Sequence, residues 1–181
     1  MHIGEIKTAD CANGSGMRVS LFVSGCTNRC PGCFQPETWD FEYGQQWTDA
    51  HEDYIIEELR KPYYKGLTIL GGEPLEPSNQ AGIINLMRRL KTELPEKDIW
   101  IFSGFVYERD LLPGGRKYTE LTDEILDMVD VLVDGPFREE EKNLALKFRG
   151  SANQRLIDMA KTREAGEVVL MDIEDRKFER I

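Results

Sequence analysis

Leu67-Thr68-Ile69-Leu70-Gly71-Gly72-Glu73-Pro74 is a short apolar run cut off by two glycines. It reads as a buried strand whose C-terminal end opens into a loop. The same figure recurs on either side. Downstream, Ser78 or Asn79 starts a helix with Ile83, Met87, Leu90 and Leu94 at helical spacing and Pro95 behind it. Asp98 to Phe102 is then a second buried strand, ending at Ser103-Gly104. Thr122, with Asp123 and Glu124 in the first turn, starts another helix, and Val129 to Val133 is a third such strand, ending at Asp134-Gly135-Pro136. Upstream, Arg18 to Ser24 places Val19, Leu21 and Val23 on one face at period two before Gly25. Thr48 caps a helix running to about Leu59, ahead of Pro62. The segment 137–181 is charge-rich, and residues 167–171 form a candidate last strand. Strands separated by crossover helices pair in parallel with right-handed connections. The predicted class is therefore α/β: an incomplete, open-sided (β/α) barrel of about four or five mostly parallel strands. Chemistry in such sheets gathers at the C-terminal strand ends, here the loop after Ser24, the turn after Leu70, and Asp134.

The 181 residues, 40% hydrophobic and 31% charged, are expected to form one domain over 1–181. Basic residues number 23 and acidic ones 33, a net charge of −10, so no nucleic-acid partner is expected, since that binding draws on cationic groups. No window reaches the roughly 18 apolar residues of a membrane span. Residues 1–10 lack the apolar core of an export signal. The expectation is a cytoplasmic protein with no membrane partner, in which the four cysteines serve as metal ligands or reactive thiols rather than disulfides. The two histidines, His2 and His51, make a histidine-based nucleophilic relay a poor fit.

Cys26-Thr27-Asn28-Arg29-Cys30-Pro31-Gly32-Cys33 puts three thiols on one short loop. A cubane of four irons normally takes four cysteines. A loop giving three leaves one iron open to bind and reduce a small molecule, as a catalytic zinc keeps a position for substrate. The alternative is a zinc site with Cys11, His2 or His51 as fourth ligand. Zinc sites usually show two separated ligand pairs, whereas here there is one triplet. The glycines of Gly71-Gly72-Glu73-Pro74 expose backbone groups at a strand end, and the adjacent carboxylate can hold an ammonium group. Taken alone, that tetrapeptide also fits a plain strand-to-helix turn.

Together, Cys-x3-Cys-x2-Cys and Gly-Gly-Glu-Pro, each after a strand, resemble the radical S-adenosylmethionine superfamily. The resemblance implies that Cys26, Cys30 and Cys33 are the catalytic cysteines and hold a 4Fe-4S cluster. Its open iron would be chelated by the amino and carboxylate groups of S-adenosylmethionine, with Gly71, Gly72 and Glu73 holding the amino group and Pro74 beside them counted in the same cofactor-binding motif. Where the superfamily often has an aromatic residue before the third cysteine, this chain has Gly32. Adenine contacts then fall to backbone from Gly32 through Cys33 to Phe34, or to later loops. Ser103 and Asp134 match positions that contact the ribose or methionine part.

A closer resemblance, over most of the chain, is to the anaerobic ribonucleoside-triphosphate reductase-activating proteins. It rests on residues 13–18, 22–26, 33–39, 100–105 and 131–137, and above all on Phe148-Arg149-Gly150-Ser151-Ala152-Asn153-Gln154-Arg155. It implies reductive cleavage of S-adenosylmethionine to a 5′-deoxyadenosyl radical, which takes a hydrogen atom from a glycine of the partner reductase. Reduced flavodoxin or a similar one-electron donor is the implied electron source. Such chemistry needs no general base. Two other readings stand beside it: another radical S-adenosylmethionine enzyme, such as a pyruvate formate-lyase activase or a small-molecule synthase, and a non-catalytic metal-binding module. Residues 149–155 are expected either to shape the entry for the partner's loop or to form an internal hydrogen-bonded turn. Cys11 is expected to be a semi-buried apolar thiol, and Trp39, Phe41, Tyr43 and Trp47 to pack as a cover over the cluster.

Overall fold

A computed structural model describes residues 1–174. Its strands are β1 (His2–Asp10), β2 (Met17–Val23), β3 (Gln45–Gln46), β4 (Tyr64–Gly71), β5 (Asp98–Phe102), β6 (Val131–Asp134) and β7 (Arg155–Asp158). Its helices are α1 (Asp49–Leu59), α2 (Pro77–Glu93), α3 (Thr122–Met128) and α4 (Met159–Ala165). The strands form one sheet in the order β3-β1-β2-β4-β5-β6-β7. The fold is α/β, as expected. The neighbours β2–β4, β4–β5 and β5–β6 run parallel, while β1–β2, β1–β3 and β6–β7 run antiparallel.

The sheet is thus mixed and has seven strands, where four or five mostly parallel ones were expected. The additions are β1 and β3 at one edge and β7 at the other. The expected strand at 167–171 is a single bridge, Ile157 to Leu170, beside β7. Helix α2 starts at Pro77, ahead of the expected Ser78 or Asn79, because the fixed φ of proline suits the first helical position. In α1 the Thr48 amide donates to His51 Nδ1 at 3.1 Å, which ties that histidine into the helix cap.

Alternation along the strands gives the sheet two unlike faces. Val19, Leu21 and Val23 of β2, Leu67 and Ile69 of β4, Ile99 and Ile101 of β5 and Leu132 of β6 pack with Ile55, Ile83, Met87 and Ile125 of the helices in one aliphatic core. The opposite face carries Arg18, Thr68, Trp100, Val131, Val133 and Leu156, and among the described residues no helix packs on its apolar cluster. Phe148, Met171 and Ile173 lie over its apolar part. Arg18 is wholly buried there. It donates to Thr68 Oγ1 at 2.6 Å and to the Leu67 carbonyl at 2.8 Å, pairs with Asp98 at 2.5 Å, and lies 5.3 Å from the Trp100 ring centre.

Candidate functional site

Because β2 and β4 are parallel neighbours with Val23 opposite Gly71, the cysteine loop and the double-glycine turn leave the sheet side by side. Hydrogen bonds continue past the ladder: the Gly72 amide donates to the Val23 carbonyl at 2.7 Å, and the Glu73 amide to the Gly25 carbonyl at 2.9 Å. Two glycines make this approach possible. Gly25 has φ +95°, and a Cβ there would lie 2.3 Å from the Phe41 ring. Gly71 has φ +108°, and a Cβ would lie 2.7 Å from the Val23 carbonyl oxygen.

Beyond these strand ends lies a cavity of about 670 Å³ whose wall includes Cys26, Cys30 and Cys33. Gly71, Gly72 and Ser103 line it too, as does Phe34 beside the third cysteine. Cys26 is buried and the other two thiols are half-buried, and none is in a disulfide. Burial, with Glu73 adding to it, pushes the Cys26 thiol up to about 11, and burial also raises that of Cys30. Iron ligation needs thiolates, so bound metal would have to supply the positive charge that burial withholds. Three cysteines on the wall of one roomy cavity fit, by their chemistry, the thiolate ligation of an iron–sulfur cluster. Among the described residues no three His, Cys, Asp or Glu side chains converge as a single metal ion requires. The residues weighed as a fourth zinc ligand do not line the cavity: His51 caps α1, His2 is in β1, and Cys11 is exposed rather than semi-buried.

Glu73 sits behind the wall, fully buried. Oε1 accepts from the Leu75 amide (3.0 Å) and Ser103 Oγ (2.8 Å), and Oε2 from the Gly104 amide (2.7 Å) and Asn28 Nδ2 (3.2 Å). Burial pushes its carboxyl up to about 7, against these hydrogen bonds. One carboxylate therefore ties together three wall segments, after β2, β4 and β5. Asn28 and Gly104 line the cavity although sequence reasoning passed them over. Asn28 carried a signal, its place within the cysteine loop.

Other expected site residues lie outside the lining. Gly32 is exposed, with φ +71°, and Pro74 is buried in the turn. Asp134 accepts from the Tyr107 amide at 2.9 Å and from Arg155 Nε at 2.9 Å, and the same guanidinium reaches Glu108. Residues 149–155 make an internal hydrogen-bonded turn that also walls the cavity. Gln154 Oε1 accepts from the Gly150 amide and its Nε2 donates to the Gly135 carbonyl, while Gly150 and Gln154 line the space. Of the four aromatics expected to cover the cluster, Trp39 alone lines the cavity; Phe41 abuts Gly25 and Trp47 stacks on His51. Arg155→Ala strands the buried Asp134 carboxylate. About 2–3 kcal/mol of stability should be lost, less than for a wholly buried pair because Arg155 is partly exposed. Urea denaturation with an unchanged slope checks this.

A family model described as a 4Fe-4S single cluster domain matches residues 12–157. The chain is similar to a protein named anaerobic ribonucleoside-triphosphate reductase-activating protein from Vibrio cholerae, 41% identical over 159 residues, covering 85% of this chain and 96% of that one. A protein of the same name from Escherichia coli K12 is 40% identical over 156 residues, with coverage of 85% and 96%. The one from Enterobacteria phage T4 is 41% identical over 158 residues, with coverage of 86% and 93%.

Proposed function

The chain belongs to the family of anaerobic ribonucleoside-triphosphate reductase-activating proteins, and on that premise we propose that it activates such a reductase by radical S-adenosylmethionine chemistry. The reading rests most on the single cavity that Cys26, Cys30, Cys33, Gly71, Gly72 and Ser103 line. Cys26, Cys30 and Cys33 would hold a 4Fe-4S cluster, which when bound supplies one-electron reduction of S-adenosylmethionine and so the means to abstract hydrogen from a glycine of the reductase. The chain's own residues orient and enclose. Gly71 and Gly72 present bare backbone to the cofactor's amino group. Glu73 fixes Ser103 and Gly104 around it, and the longest of its four bonds, from Asn28 Nδ2, is the one an ammonium group would replace. An arriving ammonium also favours the charged carboxylate, countering the burial that raises it. Phe34 and the backbone near Cys33 would face the adenine. Asp134 would act from behind the wall through Arg155. The mixed sheet would then be a partial barrel with the cavity on its concave side, acting as one domain in the cytoplasm and taking electrons from a donor such as reduced flavodoxin.

Anaerobic reconstitution with iron and sulfide, followed by dithionite and S-adenosylmethionine, tests this reading. The expected products are 5′-deoxyadenosine and, with the reductase added, the EPR doublet of a glycyl radical. A reconstituted protein that binds zinc or leaves S-adenosylmethionine intact would refute it.

A further inference from the structure

Resting on the reading of Cys26, Cys30 and Cys33 as cluster ligands, we propose that Glu76 and Lys117 are positioning residues that clamp the entry of the cysteine loop through Thr27. Glu76 Oε1 accepts from the Thr27 amide at 2.9 Å and also from the Thr27 hydroxyl. Glu76 Oε2 accepts from Lys117 Nζ at 2.8 Å, and the same ammonium donates to Thr27 Oγ1 at 2.9 Å. Three side chains close a ring around the residue that follows Cys26.

The ring is anchored from behind on both sides. The Glu76 carbonyl accepts the Asn79 and Gln80 amides that open α2, so Glu76 cannot shift without that helix. The Lys117 carbonyl accepts from Gln80 Nε2 at 3.1 Å, its amide donates to the Asp110 carbonyl at 3.0 Å, and its ammonium lies 4.9 Å from the Phe105 ring centre. The Glu76 side chain is 4% exposed and that of Lys117 15%, whereas Thr27 itself is exposed. A surface residue thus carries hydrogen bonds from a nearly buried ion pair. On the other side of Cys26, the Gly25 amide donates to the Thr38 carbonyl and the Gly25 carbonyl accepts from Glu73. Cys26 is bracketed on both flanks, which fixes one ligand sulfur before any metal arrives. The pair adds no net charge, so its effect is orientation.

The test compares full-length wild-type protein with Glu76→Gln, Lys117→Met and Lys117→Arg, each confirmed folded by circular dichroism. Iron retention against a chelator, the EPR line shape of the reduced cluster, and amide exchange at Thr27 before iron is added are measured. Glu76→Gln and Lys117→Met should lose iron about tenfold faster, the scale seen when a ligand's supporting partner is removed. Their EPR line shape should change and Thr27 exchange should quicken, while Lys117→Arg restores most of the retention. Wild-type retention and exchange in both variants would overturn the proposal. So would iron loss with an unchanged line shape and unchanged Thr27 exchange, the pattern expected of general destabilisation and of Arg155→Ala. If wild-type protein forms no 4Fe-4S cluster, the reading of the cysteines fails, and Thr27 exchange still decides the clamp.

Discussion

Replacing Cys26, Cys30 or Cys33 singly with alanine should cut bound iron and reductive cleavage of S-adenosylmethionine by at least about 100-fold, beyond the usual effect of changing a ligand's supporting partner. The reason is the number of corners. Three cysteines line the cavity, the remaining cysteine is exposed elsewhere, and neither histidine lines the wall, so among the described residues no further cysteine or histidine stands ready to replace a lost ligand. The fold should survive. Without metal, Cys26 is a buried neutral thiol with its pKa near 11, and truncating a small apolar group costs only about 1 kcal/mol. Circular dichroism should stay wild-type while iron and sulfide analysis falls to background. Cys11→Ser should change neither, and a loss of cluster in that variant would show that the three-cornered assignment is wrong.

Arg18→Met should lower stability by about 3–4 kcal/mol, because it removes one partner of a buried ionic network and leaves the others unmatched. The guanidinium has no exposed surface. Burial disfavours its charge, and Asp98 opposes that. Without it Thr68 Oγ1, the Leu67 carbonyl and Asp98 lose their donor, and Trp100 loses the cation beside its ring. Methionine fills much of the volume, so the cost is one of lost polar partners rather than of a void. For a chain of this size the melting temperature should fall by roughly 10 °C. A loss below about 1 kcal/mol in urea would mean that the network contributes little.

The middle of the sheet was legible because β4, β5 and β6 sit between covered faces and so read as short apolar runs, each stopped by glycine at Gly71, Gly104 or Gly135. The flanks were not. In β1 only Ile3 and Asp10 are buried, among the exposed Glu5, Lys7 and Ala9 and their half-buried neighbours, and β3 is two glutamines. In β7 two apolar residues, Leu156 and Ile157, stand between Arg155 and Asp158; pairing with β6 creates their burial, and no local pattern announces it.

At the site, cysteines and left-handed glycines were readable since ligation and backbone geometry each demand a particular residue type. Charged residues were less so. Glu73 and Asp134 have the chemistry of contact groups, yet their oxygens are engaged inside the protein. Whether a carboxylate faces a cavity or braces its wall depends on partners such as Ser103, Gly104 and Arg155, which meet it across 21 to 31 positions of chain.

The two sides of the sheet answer disturbance differently. One is sealed by helices interlocked through aliphatic side chains, and it opens only when the whole molecule melts. The other is roofed by loops held by a few apolar anchors, Phe148, Met171 and Ile173, and by scattered polar bonds, and such segments come undone piecemeal at lower free energy than the whole fold. A few turns on that side can therefore let go and re-form with no hinge and no domain movement, while the opposite side stays intact.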